Sequence, residues 1–253
     1  MKLTIAKDQL LVGLQAVQNI VGSRSTLPIL SNVLLEAGDR RLSLTATDLD
    51  VTITCSVAAQ VETTGRATLP VKKLVDITRE LAATEIEIEI GDKSVASIRA
   101  GSAFFKVNGL AAEEFPPLPV FAQNKTVSVP QDKLKGMLRK TSFAVSNDES
   151  RFVLNGIYCS LKENKLILVA TDGRRLALCE EELEVSPENQ ADFILPTKAI
   201  NELTRLLQGG GTVEVKFTEN QASFSMVPAV EGGVSAVLVT KLVDGVYPNY
   251  RQV

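Results

Sequence analysis

The segment Leu42-Ser43-Leu44-Thr45-Ala46-Thr47-Asp48 returns 124 residues later as Leu166-Ile167-Leu168-Val169-Ala170-Thr171-Asp172. A repeat at a fixed offset constrains a fold more than composition does, because each copy must fold as the same unit. The match extends without a gap: Leu3 to Leu10 falls on Val127 to Leu134, Gly13-Leu14 on Met137-Leu138, and Leu30 to Leu35 on Leu154 to Cys159. The offset then shifts by two, so that Leu69-Pro70-Val71-Lys72 meets Leu195-Pro196-Thr197-Lys198. Phe115-Pro116 resembles Tyr247-Pro248. The chain of 253 residues reads as two duplicated domains, 1–123 and 124–253, meeting near Gln123–Lys125.

Each copy follows one local grammar. A short strand (3–5, 127–129) leads into a helix over 7–21 or 131–145, with Asp8 or Asp132 suited to its positive first turn. Leu10, Leu14, Val17 and Val21 form an apolar stripe, matched by Leu134, Leu138 and Val145. Alternating strands follow, and Leu166 to Leu178 reads as a hairpin with its turn at Asp172-Gly173. Leu-Pro then opens a second helix, with apolar Leu74, Ile77 and Leu81 in one copy and Ile200, Leu203 and Leu207 in the other. Further alternation over 85–90, 94–100 and 104–108, and over 213–217, 222–227 and 236–242, closes each unit. The fold class is α+β, each copy placing two helices on one face of antiparallel sheet.

Composition excludes several functions. With 45% hydrophobic and 23% charged residues the chain is globular. No apolar run approaches the roughly 18 residues of a membrane span, and the opening MKLTIAKDQLL has no signal-peptide core. Cys55, Cys159 and Cys179 are too few and scattered for a disulfide framework. These features point to the cytoplasm and away from a membrane. Histidine is absent, which removes the Ser-His-Asp and Cys-His systems and most mixed zinc sites. No phosphate-binding glycine motif occurs, and Asp48-Leu49-Asp50 lacks further calcium-loop ligands, so it reads as an ordinary strand end. Neither a metal nor a cofactor is expected. An enzymatic reading would need Asp48 and Asp172 as a carboxylate pair; their equivalence under the repeat places them in separate domains.

The net charge is −3, but it is unevenly distributed. The four helical segments sum to +5, leaving −8 elsewhere. Helices sharing a face would present a positive surface on a negative body, as suits contact with a polyanion on one side. The plainer reading is a set of solvated Lys and Arg on good helix-forming positions. No aromatics interleave the cations, so contacts would go to phosphates without base stacking or sequence readout.

Several segments in order resemble the bacterial DNA polymerase III beta subunit family, the sliding clamps. They are MKLTI with its Leu-striped helix, Arg24-Ser25-Thr26-Leu27-Pro28-Ile29-Leu30, Leu42 to Asp48, Leu69-Pro70-Val71-Lys72, Phe152-Val153-Leu154-Asn155-Gly156, Ala170-Thr171-Asp172-Gly173-Arg174-Arg175-Leu176, and Lys241-Leu242-Val243-Asp244-Gly245 with Tyr247-Pro248-Asn249-Tyr250-Arg251. The resemblance implies a non-catalytic processivity factor for DNA replication. Two three-domain chains close into a homodimer ring around duplex DNA, helices inside and sheets outside. This chain would hold the first two domains, the third being absent from it, and the isolated chain is not expected to close the dimeric ring. Implied partners are duplex DNA of any sequence, DNA polymerase III subunits, the clamp loader and other proteins bearing a clamp-binding motif.

Carried over by residue, the DNA side includes Arg24, Lys72, Lys73 and Arg79; the charge count adds Arg139 and Lys140. The implied peptide pocket comprises Leu154, Thr171, Gly173, Arg174, Leu176, Pro248 and Val253, with Arg151 nearby. Gln252 stands where the family often has a basic residue. Read without the resemblance, Leu154 and Leu176 are core residues, and Arg174 with Arg175 a solvated turn. The alternative is a clamp-like scaffold or regulator that does not encircle DNA.

Overall fold

The computed structural model describes residues 1–22, 27–91, 94–119, 121, 125–228 and 234–252. The chain divides into two compact units, Met1–Leu118 with Val230–Val237, and Pro119–Ala229 with Leu238–Val253. The expected junction at 123/124 lies outside the described residues.

The first unit opens on β1 (Lys2–Ala6), which runs directly into α1 (Lys7–Val17). Strands β2 (Asn32–Gly38), β3 (Arg41–Thr47), β4 (Val51–Ala58), β5 (Gln60–Thr63) and β6 (Gly65–Pro70) follow. Then come α2 (Val71–Glu80), β7 (Glu85–Ile90), β8 (Val95–Ala100) and β9 (Ala103–Asn108). The strands lie in the orders β5-β1-β7-β8-β9 and β4-β3-β2-β6, with antiparallel neighbours.

The second unit repeats this plan with β10 (Lys125–Pro130), α3 (Gln131–Thr141), β11 (Gly156–Lys162), β12 (Lys165–Thr171) and β13 (Leu176–Glu182). It continues through β14 (Ala191–Pro196), α4 (Thr197–Leu206), β15 (Thr212–Phe217) and β16 (Gln221–Val227), and β17 (Ser235–Lys241), whose first three residues group with the first unit, completes this copy of the repeat. Its orders are β10-β15-β16-β17 and β13-β12-β11-β14. Even an isolated bridge is repeated: Thr68 pairs with Leu110, and Ile194 with Val243. One element is not. Where the first unit has β5, the second has a 3-10 turn at Pro187–Asn189.

Helical periodicity decides what is buried. Leu10, Leu14 and Val17 of α1, and Leu134 and Leu138 of α3, turn inward, each at most 5% exposed. The second helices bury Leu74 and Val75, or Ala199, Ile200 and Leu203, against the sheets. Burying each Leu or Ile contributes about 1.5–3 kcal/mol, so these stripes dominate the local energetics. Helices α2, α3 and α4 start immediately after Pro70, Pro130 and Pro196, whose fixed φ suits a strand feeding a helix.

The structure moves several expected boundaries. The first helix of each copy stops at Val17 or Thr141, short of 21 and 145, and tightens into 3-10 turns Gln18–Ile20 and Ser142–Ala144. Asn, Ile, Ser and Phe at these ends are weaker helix formers than the Leu and Lys before them. The strand expected from 94 begins at Val95, because Ser94 has φ +53°. The hairpin connection spans residues 172–175, longer than the Asp-Gly pair itself.

Candidate nucleic-acid and peptide interfaces

The exposed face of α2 carries Lys72, Lys73, Asp76 and Arg79, set by the inward turn of Val71, Leu74, Val75 and Thr78. Arg79 lies 3.7 Å from Asp76, an exposed pair of little strength. On α3, Arg139 and Lys140 are exposed in the last turn, where the helix dipole favours cations. The side chains of Lys72, Lys73, Arg139 and Lys140 make no hydrogen bond or ion pair among the described residues, so their charge is available to solvent or a ligand. Arg24 lies outside the described residues.

Other helix cations are spent internally. Lys7 Nζ donates to the carbonyls of Leu81 and Arg79, the latter at 3.1 Å, at the C-terminal end of α2. In the second unit Lys135 Nζ donates to the Leu207 carbonyl at 2.7 Å, at the same end of α4. Each ammonium meets the negative end of a helix. Lys133 lies 3.5 Å from Glu181. The helical excess of positive charge therefore overstates the free cationic surface. The exposed face of α1, with Asp8, Val12 and Gln15, contributes no cation.

Sequence reading passed over Lys198 and Arg205 as site candidates. They are exposed on α4 and match Lys72 and Arg79 at the shifted offset of 126. The acid between them repeats as well: Arg205 contacts Glu202 at 2.5 Å as Arg79 faces Asp76. Applying the offset to the second helix would have found them.

The residues named for a peptide pocket fall mostly on one patch of the second unit. Thr171 ends β12 opposite Leu176 at the start of β13. Between them Asp172 Oδ1 accepts the N–H groups of Arg174 (2.9 Å) and Arg175 (3.1 Å), and Thr171 Oγ1 accepts that of Gly173 (3.0 Å). The two N–H donors hold the Asp172 carboxyl below its ordinary range. Gly173 has φ +86°, and a Cβ there would lie 3.0 Å from an Arg151 guanidinium nitrogen, so the arginine rests against the turn. Asp48 does the same turn work in the first unit, accepting from Asp50 and Val51. The two aspartates lie in different units.

Leu154 is 7% exposed and packs with Val169, Ile194 and Tyr247, with Val153 and Tyr158 against them. It is a floor, whereas Leu176 (37%), Leu178 (47%) and Phe152 (57%) present apolar area to solvent. Gly245, at φ +122°, brings the 244–248 segment against Val153 and Phe152, since a Cβ would lie 2.8 Å from Val153 Cγ1. Tyr247 stacks on Tyr158 at 5.2 Å. Burial pushes the Tyr247 phenol up to about 12, against the opposing effect of the Thr171 backbone. Tyr247, Phe152 and Val153 were absent from the sequence-derived set, although the Phe115-Pro116 and Tyr247-Pro248 repeat marked the first. Pro248 and Arg174 are exposed nearby; Val253 lies outside the described residues.

A cavity of about 880 Å³ in the second unit lies beside this patch and shares Gly245, Tyr247 and Pro248 with it. Tyr158, Asp192, Val243 and Tyr250 line it, and Pro248 alone joins it from the expected set.

Comparison with known proteins assigns the family. The N-terminal domain of the DNA polymerase III beta subunit matches residues 1–119, and its central domain matches residues 128–249. The chain belongs to the DNA polymerase III beta subunit family. Among the relatives in that family, the Beta sliding clamp of Chlamydia trachomatis is 35% identical, covering 100% of this chain and 59% of its own length. That of Bacillus subtilis is 32% identical (98% and 66%), and that of Caulobacter vibrioides 37% identical (100% and 68%). The chain thus spans 59–68% of the length of these curated relatives. The crystal structure of the Bacillus subtilis sliding clamp superposes with TM-score 0.93 at 31% identity, over 100% of this chain and 67% of that one. A Pseudomonas aeruginosa clamp bound to griselimycin gives 0.92 at 34% identity, with the same coverage. Both copies of the repeat therefore belong to family domains, as the resemblance implied.

Proposed function

We propose that the protein acts as a DNA polymerase processivity factor, a sliding clamp that encircles duplex DNA and tethers its partners. The observation that carries this reading is the match of both units to consecutive domains of one clamp family. The proposed DNA side is the cationic helix surface: Lys72, Lys73 and Arg79 from α2, Arg139 and Lys140 from α3, with Arg24 after α1 and Lys198 and Arg205 added from α4. Exposed cations on helices suit phosphate contacts that are individually weak and indifferent to sequence, so a ring can slide. Encirclement supplies retention without tight binding.

The proposed docking patch for polymerase III subunits, the clamp loader and other motif-bearing partners is the Arg151, Leu154, Thr171–Leu176 and Pro248 surface, extended by Tyr247 and Phe152. A few apolar anchors resting on a packed floor carry most of the energy in such contacts. The role is non-catalytic: Asp48 and Asp172 serve their turns in separate units, and no histidine is available. No described helix is long and apolar enough to cross a membrane; the setting we infer is the cytoplasm. We put the domain boundary near 123/124 and infer a homodimeric ring that requires more than two clamp domains from each subunit.

The test is loading of this chain, together with the further clamp domains the ring requires, onto a nicked circular plasmid by a clamp loader and ATP. A clamp stays on the circle and is lost when the plasmid is linearised. A scaffold that does not encircle DNA is retained on neither form, and that result would replace the clamp reading.

A further inference from the structure

The two copies treat one strand edge differently. In the first unit the outer edge of β1 is covered by β5, with Lys2 opposite Thr63, Leu3 opposite Val61 and Thr4 opposite Gln60. β10 holds the same place in the second unit and pairs inward with β15, Thr126 opposite Lys216 and Ser128 opposite Glu214. It is the terminal strand of its sheet. Its outer edge meets a side chain instead. The Thr126 N–H donates to Asn189 Oδ1 at 3.2 Å, and Asn189 Nδ2 donates to the Thr126 carbonyl at 2.8 Å. One amide thereby reproduces both bonds that a neighbouring strand would make.

Asn189 is anchored for this task. It closes the turn Pro187–Asn189, its N–H bonded to the Ser186 carbonyl at 2.9 Å, and Lys125 Nζ binds the adjacent Gln190 carbonyl at 2.8 Å. Beyond Thr126 the edge is open. Ser128 is exposed, faces outward by strand alternation, and its backbone meets no outer partner among the described residues. Pro130 has no N–H to offer.

We propose that Asn189 is an edge guard that keeps β10 from adding a strand, and that the strand it excludes is β10 of a second copy of this chain. Antiparallel pairing with Thr126 opposite the copy's Ser128 uses the outward groups of both. It sets each Lys125 opposite Val129, so no like charges meet.

Sedimentation velocity on the 253-residue chain across a concentration series tests this. Asn189→Ala should form a species of about twice the mass that the parent lacks at the same concentration. Ser128→Pro in that background removes the outward N–H and should abolish it. Asn189→Asp, which keeps the shape and acceptor but cannot donate to the Thr126 carbonyl, should act likewise and serves if the alanine variant misfolds. A mass distribution unchanged from the parent, or a larger species that survives Ser128→Pro, would overturn the proposal.

Discussion

In the first unit Phe115 closes a small apolar cluster of Ile29, Leu30, Leu34 and Ala112; in the second, Tyr247 closes the matching cluster of Leu154, Val169 and Ile194. The floors are equally buried, with Leu30 and Leu154 each 7% exposed. Above the floors the copies part. Across β3 and β4, Thr45 pairs with Thr54 and Thr47 with Thr52 through hydroxyl bonds of 3.0 and 2.8 Å. The matching cross-strand positions of β12 and β13 are Val169 with Leu178 and Thr171 with Leu176. Two threonines in one copy have become two exposed leucines in the other. A duplicated scaffold can thus keep its core fixed while one copy changes what it offers at a hairpin.

The largest effects should come from breaking what the copies share. Leu14→Ala and Leu138→Ala each empty a fully buried site of the first helix and should cost about 2–5 kcal/mol. Urea denaturation followed by amide exchange should show each substitution lowering protection chiefly in its own unit. Equal loss in both would mean that the copies do not behave as separate units.

Alkaline pH should separate the copies next. The Tyr247 phenol, raised by burial to about 12, is neutral in the fold at pH values where the unfolded chain ionises near 10. Its contribution is present below about pH 10 and is lost as pH rises through about 12. Tyr158 is raised to about 12 as well, first by burial and then by Asp192. The second unit should therefore lose stability in this range, and Tyr247→Phe should reduce the loss. The Phe115 cluster of the first unit has no phenol to ionise. Circular dichroism with unit-resolved exchange between pH 9 and 12 measures it, and an unchanged profile in Tyr247→Phe would refute the assignment.

Leu176→Ser should weaken a short apolar motif peptide by roughly tenfold, about 1.4 kcal/mol, without changing thermal stability. The same change at neither Thr52 nor Thr54 applies, since these are already polar; replacing both by Leu asks whether the first unit gains peptide binding. Fluorescence anisotropy reads both. The smallest effect concerns the helix ends. Lys7→Met and Lys135→Met should each cost about 1 kcal/mol by leaving the Leu81 or Leu207 carbonyl without its ammonium.

That last pair shows where sequence stopped being informative. Lys7 is the first residue of α1 and Lys135 the fifth of α3, so the same helix end is met from positions the repeat does not align. Gln131 stands where Lys7 does, and its Oε1 accepts the Gln208 N–H. Net charge along a helix cannot say which cations are consumed this way, because that depends on which helix ends lie within reach. The apolar stripes were legible because period alone fixes what turns inward. The hairpin patch was legible in part: Thr171, Gly173 and Leu176 lie on one connection, but Tyr247, some seventy residues on, joins them only through the fold. Asn189 was invisible for the same reason, being an ordinary turn residue until β10 is placed beside it.

The most direct measurement is amide exchange on the chain with two ligands in turn, a duplex of arbitrary sequence and a short apolar motif peptide. At low salt the duplex should protect α2, α3 and α4, drawing on both units. The duplex effect should fade with added salt and with Lys72, Lys73, Arg139 and Lys140 changed to Glu. The peptide should protect only the second unit, at Arg151 to Leu154, Thr171 to Leu176 and Tyr247-Pro248. Protection by duplex on strands and not on helices, or peptide protection at the Phe115 cluster of the first unit, would contradict the account.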